Sequence, residues 1–206
     1  NRTGYCEANP VARVDRIQVE KIKTAIFSPD EVAGILRYAT EHAPRDVLAF
    51  HLIGLFAGLR PSEISLLDWG EHVSMSNQTI TVPVTNKTRR RRIVSIEPVL
   101  ARWLEEFFAF EAGPILKRRI EGTGIRRLRS ETSDIASWEP DICRHSYCSY
   151  HLAYYQDETR TAREAGHSPD VLHGKYKELV NRQEAGRYWS LTPDAVLRPS
   201  EQISAI

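Results

Sequence analysis

Residues 45–58 constrain the fold most, because this stretch is almost wholly apolar. A helix that is apolar on every side belongs in the interior of a protein. The stretch ends in the sequence Ala-Gly-Leu-Arg-Pro-Ser-Glu at residues 57–63. Glycine ends helices, and proline favours the first position of a new one. We therefore predict a buried central helix, with Arg60 at the junction that follows it.

Arg60 needs a partner at the end of a buried helix, because an unpaired buried charge is costly. Glu63, three residues further on, is one candidate, and a bound phosphate is the other. Without further residues, an Arg60–Glu63 ion pair is a sufficient structural explanation for both side chains, and the phosphate alternative stays open.

Further helices are predicted on both sides of the central one. Ser28, Pro29 and Glu31 form a capping box with proline at the first helical position, so a helix begins there and reaches about residue 43. Apolar spacing favours additional helices over residues 98–110, 142–155, 157–165 and 182–191. Residues 79–84 and 93–96 predict a β-hairpin, and Pro83 assigns its first strand to a sheet edge. The predicted fold class is mainly α with a small antiparallel β-sheet (α+β).

The composition is that of a globular domain with local basic clusters. The chain has 206 residues, of which 41% are hydrophobic, and a net charge of +1. That length is enough for one domain with a substantial core. Basic residues cluster at residues 87–92 and 117–129. Such basic runs favour binding of a polyanion, although two solvent-exposed faces without a ligand also account for them.

The odd number of cysteines, three, favours reduced thiols in a cytosol. No apolar run approaches the ~20 residues that span a bilayer. We expect a cytoplasmic protein without a membrane partner.

The last third of the chain carries the candidate chemistry. Arg144 falls in the first turn of a predicted helix, where backbone N–H groups and the helix dipole also favour an anion. His167 precedes the next helix start, and Tyr176 lies on that helix. These residue types indicate a phosphate-binding site with a tyrosine nucleophile.

Five short motifs in sequence order resemble the catalytic domain of tyrosine recombinases, the phage integrase family. They are residues 58–63 with Arg60, residues 86–89 with Lys87, residues 144–146 with Arg144, Gly166 with His167, and Tyr176 nine residues after that histidine. The resemblance spans roughly residues 24–191. It implies the tyrosine recombinase catalytic-domain fold and recombination or integration of DNA.

The resemblance also implies a reaction. Arg60 and Arg144 would hold the phosphate oxygens, with His167 as a third donor. Tyr176 would attack phosphorus to give a 3′-phosphotyrosyl bond, and Lys87 would protonate the 5′-hydroxyl that leaves. Because the covalent bond conserves the energy of the phosphodiester, a second strand can reverse the step. No cofactor and no metal are expected.

Asp141 departs from the family pattern, which usually has a histidine three residues before the second arginine. Beside two arginines and a phosphate, a carboxylate is a weak base. Aspartate just ahead of a helix is also a preferred N-cap. His173, one turn before Tyr176, is a second candidate for the base and also fits a surface position. His145 and His151 are expected in the core or behind the site.

Double-stranded DNA is the implied partner. The basic residues expected on its phosphates are Arg89, Arg90, Arg91, Arg92, Lys117, Arg118, Arg126 and Arg127. The resemblance further implies a tetrameric synapse on DNA. It divides the chain into a linker from an N-terminal DNA-clamping domain (1–20), the catalytic domain (21–192) and a C-terminal tail exchanged between protomers (193–206).

Two other classes stay open. A DNA-binding module, such as a regulator or a decayed integrase, would bind DNA and form no covalent adduct. A type IB topoisomerase would relax supercoils without pairing two sites. A hydrolase built on the seven histidines is disfavoured, because the sequence has no metal-ligand spacing.

Overall fold

The structure is a computed structural model that describes residues 24–84, 91–117, 123–167, 176 and 179–198. Within these ranges the chain forms ten helices and a three-stranded sheet. In chain order the elements are α1 (Pro29–His42), α2 (Arg45–Phe56), α3 (Pro61–Ile64), α4 (Trp69–His72), β1 (Val73–Ser74), β2 (Thr79–Val82), β3 (Arg92–Ser95), α5 (Pro98–Phe108), α6 (Thr123–Glu131), α7 (Ile142–Tyr155), α8 (Glu158–Ala165), α9 (Arg182–Trp189) and α10 (Pro193–Leu197).

The apolar stretch forms α2, the predicted central helix. Every residue from Val47 to Phe56 is buried, and the helix packs against α1, α5 and α7. Full burial of one large apolar side chain stabilises a fold by roughly 1.5–3 kcal/mol, so α2 accounts for much of the core. Tyr188 on α9 donates its hydroxyl to the Leu55 carbonyl at 2.5 Å, which joins a further helix to α2.

Gly58 ends α2 for two physical reasons. Its φ is +66°, a left-handed conformation that side chains disfavour. A Cβ at this position would also lie 2.2 Å from the ring of Tyr147 on α7. The absence of a side chain therefore allows the turn and the close approach of α7.

The predicted hairpin is present, but its predicted edge position is wrong. Strand β2 is the central strand of an antiparallel sheet of order β1-β2-β3, and Ile80 pairs with Val94. Pro83 follows the last residue of β2, so it does not interrupt the hydrogen-bond ladder. The sequence did not reveal β1, which has only two residues.

The start of the predicted tail is a short helix that packs on its own chain. Thr192 caps α10 by accepting the N–H of Ala195. Val196 is fully buried, α10 packs against α1 and α5, and Arg37 donates to the Val196 carbonyl at 3.2 Å. The division at residue 192 stays a prediction, and residues 1–20 and 199–206 lie outside the described part.

Among the described residues, none of the helices has both the length and the apolar character required to cross a membrane.

Candidate active site

Arg144 lies in the first turn of α7 and is almost completely buried, with 2% of its surface exposed. Its Nη1 donates to the Gly58 carbonyl at 2.7 Å, and its Nη2 donates to the Ala165 carbonyl. Carbonyl groups at helix C-termini carry partial negative charge and lack partners within the helix. One guanidinium therefore joins the ends of α2 and α8.

Arg60 forms the ion pair with Glu63 that the sequence allowed. Its Nη1 lies 3.2 Å from Glu63 Oε1, and its backbone N–H donates to Glu63 Oε2 at 2.8 Å. The Arg60 side chain is one quarter exposed, whereas that of Glu63 is buried. Burial lowers the pKa of the Arg144 guanidinium, and the positive charge of Arg60 adds to that decrease.

Arg92 is a second partner of Glu63. Its Nη1 and Nη2 donate to the two carboxylate oxygens, both at 2.7 Å, and its Nε donates to the Glu164 carbonyl at 2.9 Å. Burial alone would raise the pKa of Glu63, but hydrogen bonds and charge from Arg92 and Arg60 lower it to about 2. Glu63 therefore stays ionised between two arginines.

This geometry argues against the predicted contact of Arg92 with DNA phosphates. The Arg92 side chain is 9% exposed, and its donors bind protein oxygens. Arg92 instead links β3 to α3 and α8.

Tyr176 is buried, with 2% of its surface exposed, and packs with Tyr147, Cys148, Ala162 and Ala165. Burial, and then the neighbouring Cys148, raise the pKa of Tyr176, while the charges of Arg144 and Arg60 oppose the increase. The net effect is an increase, so the phenol is neutral near pH 7. The structure thus brings Tyr176 within electrostatic reach of both predicted arginines.

Two imidazole rings lie beside Tyr176. The hydroxyl oxygen is 2.7 Å from Nδ1 of His145, and the ring centroids of these residues are 5.6 Å apart. The His167 ring centroid lies 5.8 Å from that of Tyr176. His167 was predicted, whereas sequence reasoning placed His145 behind the site. The signal available in the sequence was its position directly after Arg144.

Asp141 precedes α7, but it does not act as the predicted N-cap. Its φ is +57°, and its side chain makes no capping hydrogen bond. Asp141 is exposed. Aspartate tolerates the left-handed conformation better than most residues do. Its negative charge contributes to raising the pKa of Tyr176.

Behind the site, three residues from distant segments could share one metal ion. Ligand atoms of Glu97, His151 and Glu164, all buried, lie within 4.8 Å of one another. Arg160 on α8 bonds to both carboxylates, and Tyr155 donates to Glu97 at 2.5 Å. These bonds already engage oxygens of both carboxylates. We interpret the group as a buried charge network, which sequence spacing could not reveal.

The described basic residues differ in exposure. Arg91, Lys117, Arg126 and Arg127 are exposed, as a DNA-binding role requires. Lys117 lies 3.7 Å from Glu111, and Arg127 lies 2.7 Å from Glu131. Arg163 on α8, which the sequence analysis did not select, lines the same surface depression as Arg91 and Arg92.

Several predicted residues lie outside the described part of the chain, and their roles stay predictions. They are Lys87, Arg89, Arg90, Arg118 and His173.

Comparison with known proteins identifies the fold. The chain aligns with the XerA recombinase at a TM-score of 0.63 and 18% identity, covering 87% of this chain and 67% of that one. It aligns with the integrase from mycobacterium phage Brujita at a TM-score of 0.53 and 17% identity, covering 95% of this chain and 70% of that one. It aligns with the catalytic domain of bacteriophage HP1 integrase at a TM-score of 0.53 and 16% identity, covering 84% of this chain and 90% of that one.

Sequence comparison gives no match, either to a protein-family model or to a curated protein. The structural likeness shows that the chain has the fold of a recombinase and integrase catalytic domain. The predicted fold class, mainly α with a small antiparallel sheet, is confirmed.

Proposed function

We propose that this chain is the catalytic part of a site-specific DNA recombinase or integrase that cuts and rejoins strands through a 3′-phosphotyrosine intermediate. The observation that supports this most directly is the position of Tyr176. Its hydroxyl contacts His145, the residue after Arg144. The positive charges of Arg144 and Arg60 both act to lower the pKa of this hydroxyl. A phenol nucleophile with fixed cationic donors is what attack on a phosphodiester requires.

In this mechanism Arg60 and Arg144 bind the non-bridging oxygens of the scissile phosphate, and His167 adds a donor. Tyr176 Oη attacks phosphorus, the bond to the 5′ oxygen breaks, and that oxygen takes a proton from Lys87. A 5′-hydroxyl from another strand then reverses the step. The reaction uses no cofactor and no metal, because the phosphotyrosyl bond keeps the energy of the original linkage.

DNA binding has to open the pocket. Tyr176 is 2% exposed, and two donors of Arg144 bind backbone carbonyls. The phosphate must gain access to the phenol before attack. The same burial favours a second candidate function, a decayed recombinase that binds DNA and keeps its tyrosine enclosed.

We further propose that DNA lies across the exposed basic residues, with Arg163 added to the predicted set. Self-association as a tetramer on DNA is part of this proposal. Exchange of the tail from residue 193 between protomers is also part of it, with α10 of one copy taking the position against α1 and α5 of its neighbour.

The test is covalent trapping on a nicked DNA duplex from the regions that flank the coding sequence. The nick lets the short cleaved fragment diffuse away, so the adduct accumulates and is visible on a denaturing gel. We expect an adduct with the unmodified protein and none with Tyr176→Phe. Tyr154→Phe, which alters a partly exposed tyrosine of α7, is the matched control and should trap normally.

Other outcomes identify the alternatives. Salt-dependent DNA binding with no adduct from any variant would indicate a decayed recombinase. Relaxation of an unrelated plasmid by a monomer would indicate a topoisomerase. An adduct formed equally by Tyr176→Phe would reject Tyr176 as the nucleophile.

A further inference from the structure

The buried phenol of Tyr176 needs a proton acceptor, and the position where the family usually has a histidine holds Asp141. Burial raises the pKa of Tyr176, so the phenol does not ionise unaided near pH 7. Attack by a neutral phenol requires its proton to leave as the new bond to phosphorus forms. The acceptor must therefore be within hydrogen-bond reach of Oη.

Asp141 does not have this geometry in the described structure. It is exposed, its backbone is left-handed, and it acts on Tyr176 through its charge. That charge raises the pKa of the phenol and so opposes ionisation. A carboxylate that acts in this way makes proton loss harder.

His145 has the required contact. Its Nδ1 is 2.7 Å from the Tyr176 hydroxyl oxygen, a full hydrogen bond. When the neutral ring carries its proton on Nε2, Nδ1 is an acceptor and the phenol donates to it. His145 is half-buried in the first turn of α7, directly after the arginine expected to hold the phosphate.

We propose that His145 is the general base that accepts the proton of Tyr176, in place of the histidine that Asp141 replaces. This inference rests on the proposed recombinase function. In the forward step the O–H bond of Tyr176 breaks, its proton passes to Nδ1, and Oη bonds to phosphorus as the 5′ oxygen leaves. In the reverse step the His145 imidazolium returns the proton to Oη as the phosphotyrosyl bond breaks.

The charged groups around Tyr176 and His145 determine when His145 can become an imidazolium. Within the described part of the chain, the charged and titratable groups that act on Tyr176 include Cys148, Arg144, Asp141 and Arg60, and the His167 ring lies beside it. The two arginines disfavour a further cation until the phosphate adds negative charge. Proton transfer is therefore coupled to occupancy of the site.

The experiment measures the rate of adduct formation on the nicked substrate under single-turnover conditions, from about pH 5.5 to 8.5, the range that spans imidazole titration. In the unmodified protein the rate should fall toward low pH, because a protonated ring cannot accept. His145→Gln should slow the reaction by about 100-fold, the lower end for general-base catalysis, and remove the low-pH fall. Added imidazole should partly restore the rate of His145→Ala. Asp141→Asn should not slow the reaction, because it removes a charge that opposes ionisation of Tyr176; a loss like that of His145→Gln would show that Asp141 is the base.

DNA affinity and melting temperature are measured for every variant, so that loss of binding or of folding is distinguished from loss of the chemical step. If the unmodified protein forms no adduct, the proposed function fails and the base assignment fails with it. If it does form an adduct while His145→Gln keeps its rate and pH profile, only the base assignment is rejected. If His145→Gln fails to fold, His145→Asn replaces it in the rate and pH comparison, because its amide can lie near the position of Nδ1 but is not basic.

Discussion

The two sides of α7 differ in chemistry. On the side facing α9, Tyr150 stacks on Tyr188 with ring centroids 4.0 Å apart and planes 7° from parallel. On the side facing α8, Arg144 donates to a backbone carbonyl at the end of that helix, and Tyr147 donates to Glu164 at 3.1 Å. We call the first the apolar layer. The polar layer consists of Glu63, Arg92, Arg144, Tyr147 and Glu164.

The difference separates stability from chemistry. The apolar layer holds α7 in place through contacts that each contribute a modest amount. The polar layer pairs buried charges from segments far apart in sequence, and loss of one partner leaves the other uncompensated. Single substitutions should therefore be most damaging in the polar layer.

Glu63→Gln tests this expectation with the largest predicted effect. The substitution leaves the buried guanidinium of Arg92 without its counter-charge, so the free energy of unfolding should fall by about 3–5 kcal/mol. Urea denaturation at pH 7 measures the change. Glu71→Gln, an exposed carboxylate on α4, is the control and should be neutral. Equal stability of Glu63→Gln and the unmodified protein would contradict the distinction between the layers.

The same pair of proteins gives a pH test. Because Glu63 has a pKa of about 2 in the folded chain, below the ordinary value of 4.5, its ionised form is favoured by folding. Its contribution is complete above about pH 4.5 and is lost as the pH falls toward 2. The stability difference between the unmodified protein and Glu63→Gln should therefore shrink over that window. A difference that does not change with pH would mean that the carboxylate charge is not what stabilises the layer.

Gly58→Ala tests the junction of the two layers. It forces a side chain into a left-handed conformation and against the Tyr147 ring, 2.2 Å away, so we expect a loss of about 3 kcal/mol or more. Gly186→Ala is the matched control, because a Cβ there has no neighbour within 4 Å. In a helix interior that change should stabilise the fold by roughly 0.5–1 kcal/mol. Thermal unfolding of both variants measures the contrast.

Tyr188→Phe tests the apolar layer and should have the smallest effect. It removes the hydrogen bond to the Leu55 carbonyl and keeps the ring stacked on Tyr150, so the loss should be about 1 kcal/mol. DNA cleavage at a temperature where the variant is folded should be unchanged. A drop in cleavage without a drop in stability would show that the apolar layer also tunes the site.

Local signals in the sequence predicted most of the helices. The capping box at Ser28 is present, with hydrogen bonds in both directions between Ser28 and Glu31, and α7 has the predicted bounds. Helix starts, stops and apolar stripes depend on residues a few positions apart. A single sequence shows such spacings directly.

Long-range partners were not predictable in the same way. Arg92 looked like one more residue of a basic run, yet its partner Glu63 is 29 residues away. His145 was expected in the core or behind the site, because its contact with Tyr176 joins residues that are 31 positions apart in the sequence. These pairings depend on how α3, β3, α7 and α8 pack, and helical periodicity carries no information about that.

The two hydrogen bonds of Arg144 depend on the course of the main chain. Both bonds go to main-chain oxygens, of Gly58 and Ala165, and every amino acid supplies a carbonyl. Neither bond is made to a side chain, but Gly58 must still be a glycine because a Cβ there would meet the Tyr147 ring. Arg144 keeps both bonds only when α2 and α8 end where they do, so an insertion or deletion next to either helix end should break the bond made there.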